Sequence, residues 1–150
     1  MSSSTMTIAT KKKLEHKDQN AIITNSTSET IIVYGPRRET DGGNYDNSWY
    51  VLHSGETIPS DWQCDGIFIP KDRKFMQMSD ETIQGPVAVK FGSLMPVTII
   101  QDGEVYIEKG SHNEGVFHKS EIDWDVPDFD AEYCQNISMA AYQIQPNKRF

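Results

Sequence analysis

Apolar residues along the chain are bunched into short runs separated by turn-forming clusters. Ala21-Ile22-Ile23 and Thr30-Ile31-Ile32-Val33-Tyr34 are rich in β-branched and aromatic residues and too short for helices, which predicts strands. Trp49 to His53 reads as a further strand, and Ile67-Phe68-Ile69 as a buried one closed by Pro70. Val87, Val89 and Phe91 alternate with Ala88 and Lys90, the period-two pattern of a strand with one face in a core. The stretch from Gly35 to Ser48 holds Gly42, Gly43, Asn44, Asp46 and Asn47 and reads as a long loop.

The strongest turn signal is Asp102-Gly103. Placed at the two central positions of a type I′ hairpin, it sets Gln101 opposite Glu104, Ile100 opposite Val105, Ile99 opposite Tyr106 and Thr98 opposite Ile107. One face then carries Thr98, Ile100, Val105 and Ile107, while the other carries Val97, Ile99 and Tyr106 together with Glu104 and Glu108. Because the charges fall on the second face, Ile100, Val105 and Ile107 are expected in the core.

The C-terminal segment supports two periods. Tyr133, Ile137, Ala141 and Ile144 repeat at helical spacing, with Asp130 as an N-cap and Pro146 beyond the end, yet Ile137, Met139 and Ala141 also alternate as in a strand. The β character of the rest favours the strand. The fold expected is all-β, a single antiparallel β-sandwich or small barrel with long loops, and the alternative is α+β with one C-terminal helix at about 130–144.

At 150 residues the chain has the size of one domain, able to bury roughly two-thirds of its unfolded surface. Residues 1–19 are Ser/Thr/Lys-rich with isolated Met6, Ile8 and Leu14 and read as a flexible N-terminal arm, leaving 20–150 as a single β-rich domain. The arm could also order on a partner or a neighbouring copy.

The formal charge of −8 is uneven, since residues 1–40 carry six basic and four acidic side chains and the remainder eight and eighteen. An acidic body repels phosphate backbones, so nucleic acid is not an expected partner. No stretch has the length of a membrane span, and Met1 to Thr10 lacks the apolar core of a secretory signal, so the cytoplasm is the expected compartment. Cys64 and Cys134 are then expected as buried thiols. Asn25-Ser26-Thr27 and Asn136-Ile137-Ser138 match the glycosylation pattern, which matters only on an exported chain.

Enzyme motifs are missing as a set. Cys64 lies between carboxylates in Asp61-Trp62-Gln63-Cys64-Asp65-Gly66, a setting that raises a thiol pKa, and His53, His112 and His118 fall in no nucleophile signature. Neither a Gly-x-Ser-x-Gly elbow nor a phosphate-binding glycine loop is found. Glu121, Asp123, Asp125, Asp128, Asp130 and Glu132 would suit calcium in kind, but Pro127 occupies a ligand position of the EF-hand pattern and its glycine is missing. No metal, no cofactor and no catalytic residue is therefore expected, and the reading leans away from an enzyme.

The same acidic segment sets Ile122, Trp124, Val126 and Phe129 between its charges. That combination suits docking on a basic protein groove, with Asp123, Asp125 and Asp128 steering and Trp124 and Phe129 as anchors. Trp124 and Phe129 packed back on the sheet as a clamp is the structural alternative. A non-catalytic interaction module is thus the leading expectation. A self-assembling structural protein using the arm or an edge strand is the second, with a homo-oligomer as its product. A lectin-like module is the third, with Tyr45, Asn47, Trp49, Trp62 and Asp65 combining flat aromatic surface and polar groups.

Overall fold

A computed structural model describes residues 21–34, 49–58, 64–92, 95–122 and 124–144. Ten strands are described: β1 (Ile22–Asn25), β2 (Ile31–Tyr34), β3 (Trp49–Leu52), β4 (Gly66–Ile69), β5 (Lys74–Met76), β6 (Thr82–Gln84), β7 (Val87–Lys90), β8 (Pro96–Asp102), β9 (Val105–Lys109) and β10 (Gly115–Phe117). One helix follows, α1 (Ala131–Ile144). Sheet A has the order β1-β8-β9-β5-β6 and sheet B the order β10-β7-β4-β2-β3, and neither closes into a barrel. The all-β sandwich expected from the sequence is what forms. Sheet B is antiparallel throughout, whereas sheet A contains two parallel pairs, β1 with β8 and β5 with β9.

Every residue of β2 and β4 is buried. One set of their side chains, including Ile31, Val33, Ile67 and Ile69, faces Ile23, Phe75, Val97, Ile99 and Tyr106 of sheet A across the main core. The other set, Ile32, Tyr34 and Phe68 with Ala88 of β7, packs under Val126 and Cys134, with Ile122, Trp124 and Phe129 beside them. The molecule is therefore three layers deep: sheet A, sheet B, and a cover made of the acidic segment and α1.

That cover explains why the C-terminal segment is helical and not the strand favoured from its alternation. It lies on a sheet face, where a strand would find no ladder partner, and a helix satisfies its own backbone groups. Its start is held by two carboxylates: Asp130 Oδ1 accepts from the Tyr133 N–H at 2.8 Å, and Asp72 Oδ1 accepts from the Ala131 N–H at 2.8 Å.

The hairpin differs from its sequence reading in two ways. Asp102 pairs with Val105, Gln101 with Tyr106 and Ile100 with Ile107, so Gly103 and Glu104 are the central residues. Gly103 has φ of 63° while Glu104 does not share a positive φ, the pattern of a type II′ turn with glycine in first place. The register moves by two residues, which leaves the membership of each face unchanged. The face in the core, however, is the one carrying Val97, Ile99, Tyr106 and Glu108, and Ile100, Val105 and Ile107 are only half-buried.

Glu108 is the cause of that inversion. Its fully buried carboxylate accepts from Met78 N–H at 2.8 Å, from Asn113 N–H at 3.0 Å and Nδ2 at 3.1 Å, and meets His112 Nδ1 at 2.8 Å. A charge with four partners is tolerated inside, whereas sequence alone shows only the charge.

The free side of β1 is closed by the 55–58 segment: Asn25 N–H donates to Glu56 O at 2.8 Å and Ile58 N–H to Ile23 O at 2.9 Å. Asn25 itself is fully buried, its Nδ2 donating to Glu29 O and Leu52 O at 2.8 Å each while Oδ1 accepts from Thr27.

The inverted faces give a direct test. Ile99→Ala is expected to cost about 2–5 kcal/mol in urea unfolding, as for a fully buried aliphatic side chain, while Ile100→Thr costs about 1 kcal/mol or less.

Candidate functional site

The acidic segment reaches its position through three fixings. Trp124 stacks on Tyr34 with ring centroids 4.8 Å apart and lies over Gly66, where an added Cβ would come within 2.9 Å of the indole. Tyr34 Oη donates to Asp125 O at 2.7 Å, and burial, reinforced by Asp125 and Cys134, pushes its phenol upward in pKa. Phe129 meets Phe68 edge-on at 6.2 Å, and its carbonyl accepts from Lys71 N–H at 2.8 Å. The structure thus places Trp124 and Phe129 against sheet B.

Where this segment turns into α1 it leaves an open depression of about 400 Å³, lined by Lys71, Asp128, Phe129, Asp130, Glu132, Tyr133 and Asn136. Phe129 and Tyr133 form its aromatic wall, 4.4 Å apart and tilted by 56°. Tyr133 is 48% exposed, one of the few large apolar side chains on the described surface that are. Asp128 reaches solvent and stands 3.6 Å from Lys71 Nζ, an exposed pair of little strength. Asp130 is engaged in capping, and Glu132 is exposed. The partial positive charge of the helix start is answered by Asp72 and Asp130, so the depression itself is acidic.

Of the docking residues expected from sequence, Asp128 and Phe129 lie in this depression, Asp125 is exposed beside it in the chain, Trp124 supports the segment from beneath, and Asp123 lies outside the described residues. Tyr133, Glu132 and Lys71 are not among the docking residues expected from the sequence, although Glu132 belongs to the carboxylate run and Tyr133 to the helical period noted there. The first two become neighbours of Phe129 only because the segment is helical, and Lys71 is contributed by a distant turn. For the glycan-type cluster, Tyr45, Asn47 and Trp62 lie outside the described residues. Trp49 and Asp65 are brought to Tyr34, the first as its β3 partner and the second through its N–H on Tyr34 O at 2.9 Å.

A second polar cluster joins the layers at one end of the sandwich. Arg73 Nε and Nη2 reach the two oxygens of Glu29 at 3.1 and 2.6 Å, and Tyr106 Oη donates to the same carboxylate. Partial burial would raise the Glu29 pKa, but the hydrogen bonds from Arg73 and Tyr106, the Arg73 charge and Gln101 outweigh it, and the net shift is downward. Burial first, then Glu29, pushes Tyr106 up. Each of these groups answers another, as in a structural clasp.

Cys64 belongs to the core between the sheets and Cys134 to the core under the cover, so they are not bonded to one another. Burial, with Asp130, Asp72 and Glu29 adding to it, pushes the Cys134 thiol up to about 12. Among the described residues no three His, Cys, Asp or Glu side chains converge as a cation site, and no helix is long and apolar enough to cross a membrane. The chain matches no protein-family model, no curated protein and no solved structure.

Two outcomes follow from these electrostatics. Because the Glu29 pKa is depressed on folding, its contribution is complete above the ordinary carboxylate range and is lost as pH falls through the folded value. The wild type should therefore lose stability below about pH 5 more steeply than Glu29→Gln, measured as urea midpoints across pH. The raised pKa keeps the Cys134 thiol protonated at pH 8, so Ellman's reagent should modify it slowly in the native protein and at once in denaturant.

Proposed function

We infer that the protein is a non-catalytic interaction module that docks a basic segment of a protein partner on the acidic cover of sheet B. The observation that carries this reading is the depression in which Phe129 and the exposed Tyr133 form a wall beneath Asp128, Asp130 and Glu132. Carboxylates around an aromatic surface attract a cation at long range and hold it at short range against the ring face. Asp125, exposed earlier in the same segment, adds to its negative charge. Trp124 keeps the segment seated, so that Phe129 and the helix start present a fixed shape. A cytoplasmic setting fits the two thiols in separate cores, which need no oxidising environment.

A fluorescein-labelled Lys/Leu peptide provides the probe. Anisotropy titration at low salt should show binding that weakens with ionic strength, and the combined Asp125→Lys, Asp128→Lys and Glu132→Lys variant should lose about tenfold or more in affinity, or about 1.4 kcal/mol. Tyr133→Ala should weaken binding with no loss of thermal stability, since its ring is half in solvent. Equal affinity in all three proteins would overturn the reading.

A further inference from the structure

The depression on the cover holds a cation of the chain's own. Lys71 comes from the turn after β4, which Arg73 N–H closes by donating to Pro70 O at 3.0 Å. The three consecutive charges of that turn are engaged differently. Asp72 Oδ1 accepts from Ala131 N–H at the helix start, and Arg73 holds both oxygens of Glu29. Lys71 sets its ammonium 3.6 Å from Asp128 Oδ2, among the residues that line the depression. Its backbone is fixed from two sides, the N–H donating to Phe129 O and the carbonyl accepting from Gln84 Nε2, each at 2.8 Å. Only the side chain is left to move. With side-chain exposures of 46% for Lys71 and 81% for Asp128, the pair is one that water or another cation can separate.

We propose, on the reading of the cover as a docking surface for a basic segment, that Lys71 is the internal competitor of that surface. Its ammonium occupies the position on Asp128 that a cation of the partner takes, and the partner binds by displacing it. Lys71 is the one cation among the described residues that line the depression, where Asp128, Asp130 and Glu132 are the anions.

The weakness of the pair is what suits it to this role. A buried ion pair would close the position to any ligand, since breaking it leaves an uncompensated charge. An exposed pair shifts an equilibrium only a few-fold and yields to a ligand that also lies on the Phe129 and Tyr133 rings. Exchange of one ammonium for another is nearly neutral, so a partner gains from the contacts it makes beyond that exchange. Removing the Lys71 charge spares the partner the displacement and leaves the two backbone hydrogen bonds of the residue in place.

The test uses the full-length chain and the labelled Lys/Leu peptide at about 0.1 M salt, where charges farther apart than roughly 10 Å are largely screened. Lys71→Gln is expected to tighten binding about two- to fivefold, the span of one exposed ion pair, while Lys71→Arg, which keeps the charge, binds as the wild type does. Lys109→Gln makes the same change of net charge at an exposed position on β9 of sheet A, the sheet away from the cover, and should leave the affinity unaltered. In an Asp128→Asn background the gain from Lys71→Gln should vanish, because the two residues act as a pair. Affinity that falls or does not change with Lys71→Gln, a gain matched by Lys109→Gln, or a gain that persists with Asp128→Asn would overturn the proposal and leave the docking reading standing. No peptide binding by any of these proteins would overturn both.

Discussion

The constraint on which the molecule depends is that sheet B has no wet face. Its central strands bury every side chain, so the sheet must be closed from both sides. Sheet A closes one side. The other requires Ile122, Trp124, Val126, Phe129 and Cys134 from the C-terminal part of the chain, each large group contributing roughly 1.5–3 kcal/mol when fully buried. The acidic segment is thus first a piece of the fold. Its hydrophobic positions face the sheet, which leaves carboxylates such as Asp125 and Asp128 to face water.

This dual use shapes the proposed docking surface. An aromatic anchor on a loose tail must be ordered when it binds, and that ordering opposes affinity. Here Phe129 is fixed by Phe68 from below and by Lys71 through its backbone, and Tyr133 stands one helical turn further on with its orientation set by the cap at Asp130. The surface is held in place by the fold itself. The clasp of Glu29, Arg73 and Tyr106 works at another level, tying together the β1–β2 connection, the turn after β4, and β9.

What was legible in the sequence is what depends on local pattern. Dense apolar runs mark β2 and β4 because strands buried on both faces must be apolar at every position, while β7 is marked by the alternation of Val87 and Val89 with Ala88 and Lys90. The strands β5, β6 and β10 were not legible: Lys74-Phe75-Met76, Thr82-Ile83-Gln84 and Gly115-Val116-Phe117 are three residues long, and each carries few apolar groups. The hairpin was legible in its alternation and illegible in its orientation, since the partners that make Glu108 acceptable inside come from Met78, His112 and Asn113. For the same reason the site was half legible. Asp128 and Phe129 stand out in sequence, whereas Tyr133 joins them only through a helix whose existence depends on the sheet beneath it.

Asn25 carries a consequence for how the chain can be made. Both hydrogens of its amide are spent on Glu29 O and Leu52 O, and the side chain has no exposed surface. Oligosaccharide transfer on a secretory route uses that same amide nitrogen and acts on chains that have not yet folded. A glycan placed at the Asn25-Ser26-Thr27 sequon would remove a donor and force a bulky polar group into the junction of β1, the 26–30 turn and β3. The fold and this modification exclude one another, so a version routed for export by engineering would need another residue at Thr27 or Asn25 to keep its β1–β2 connection intact.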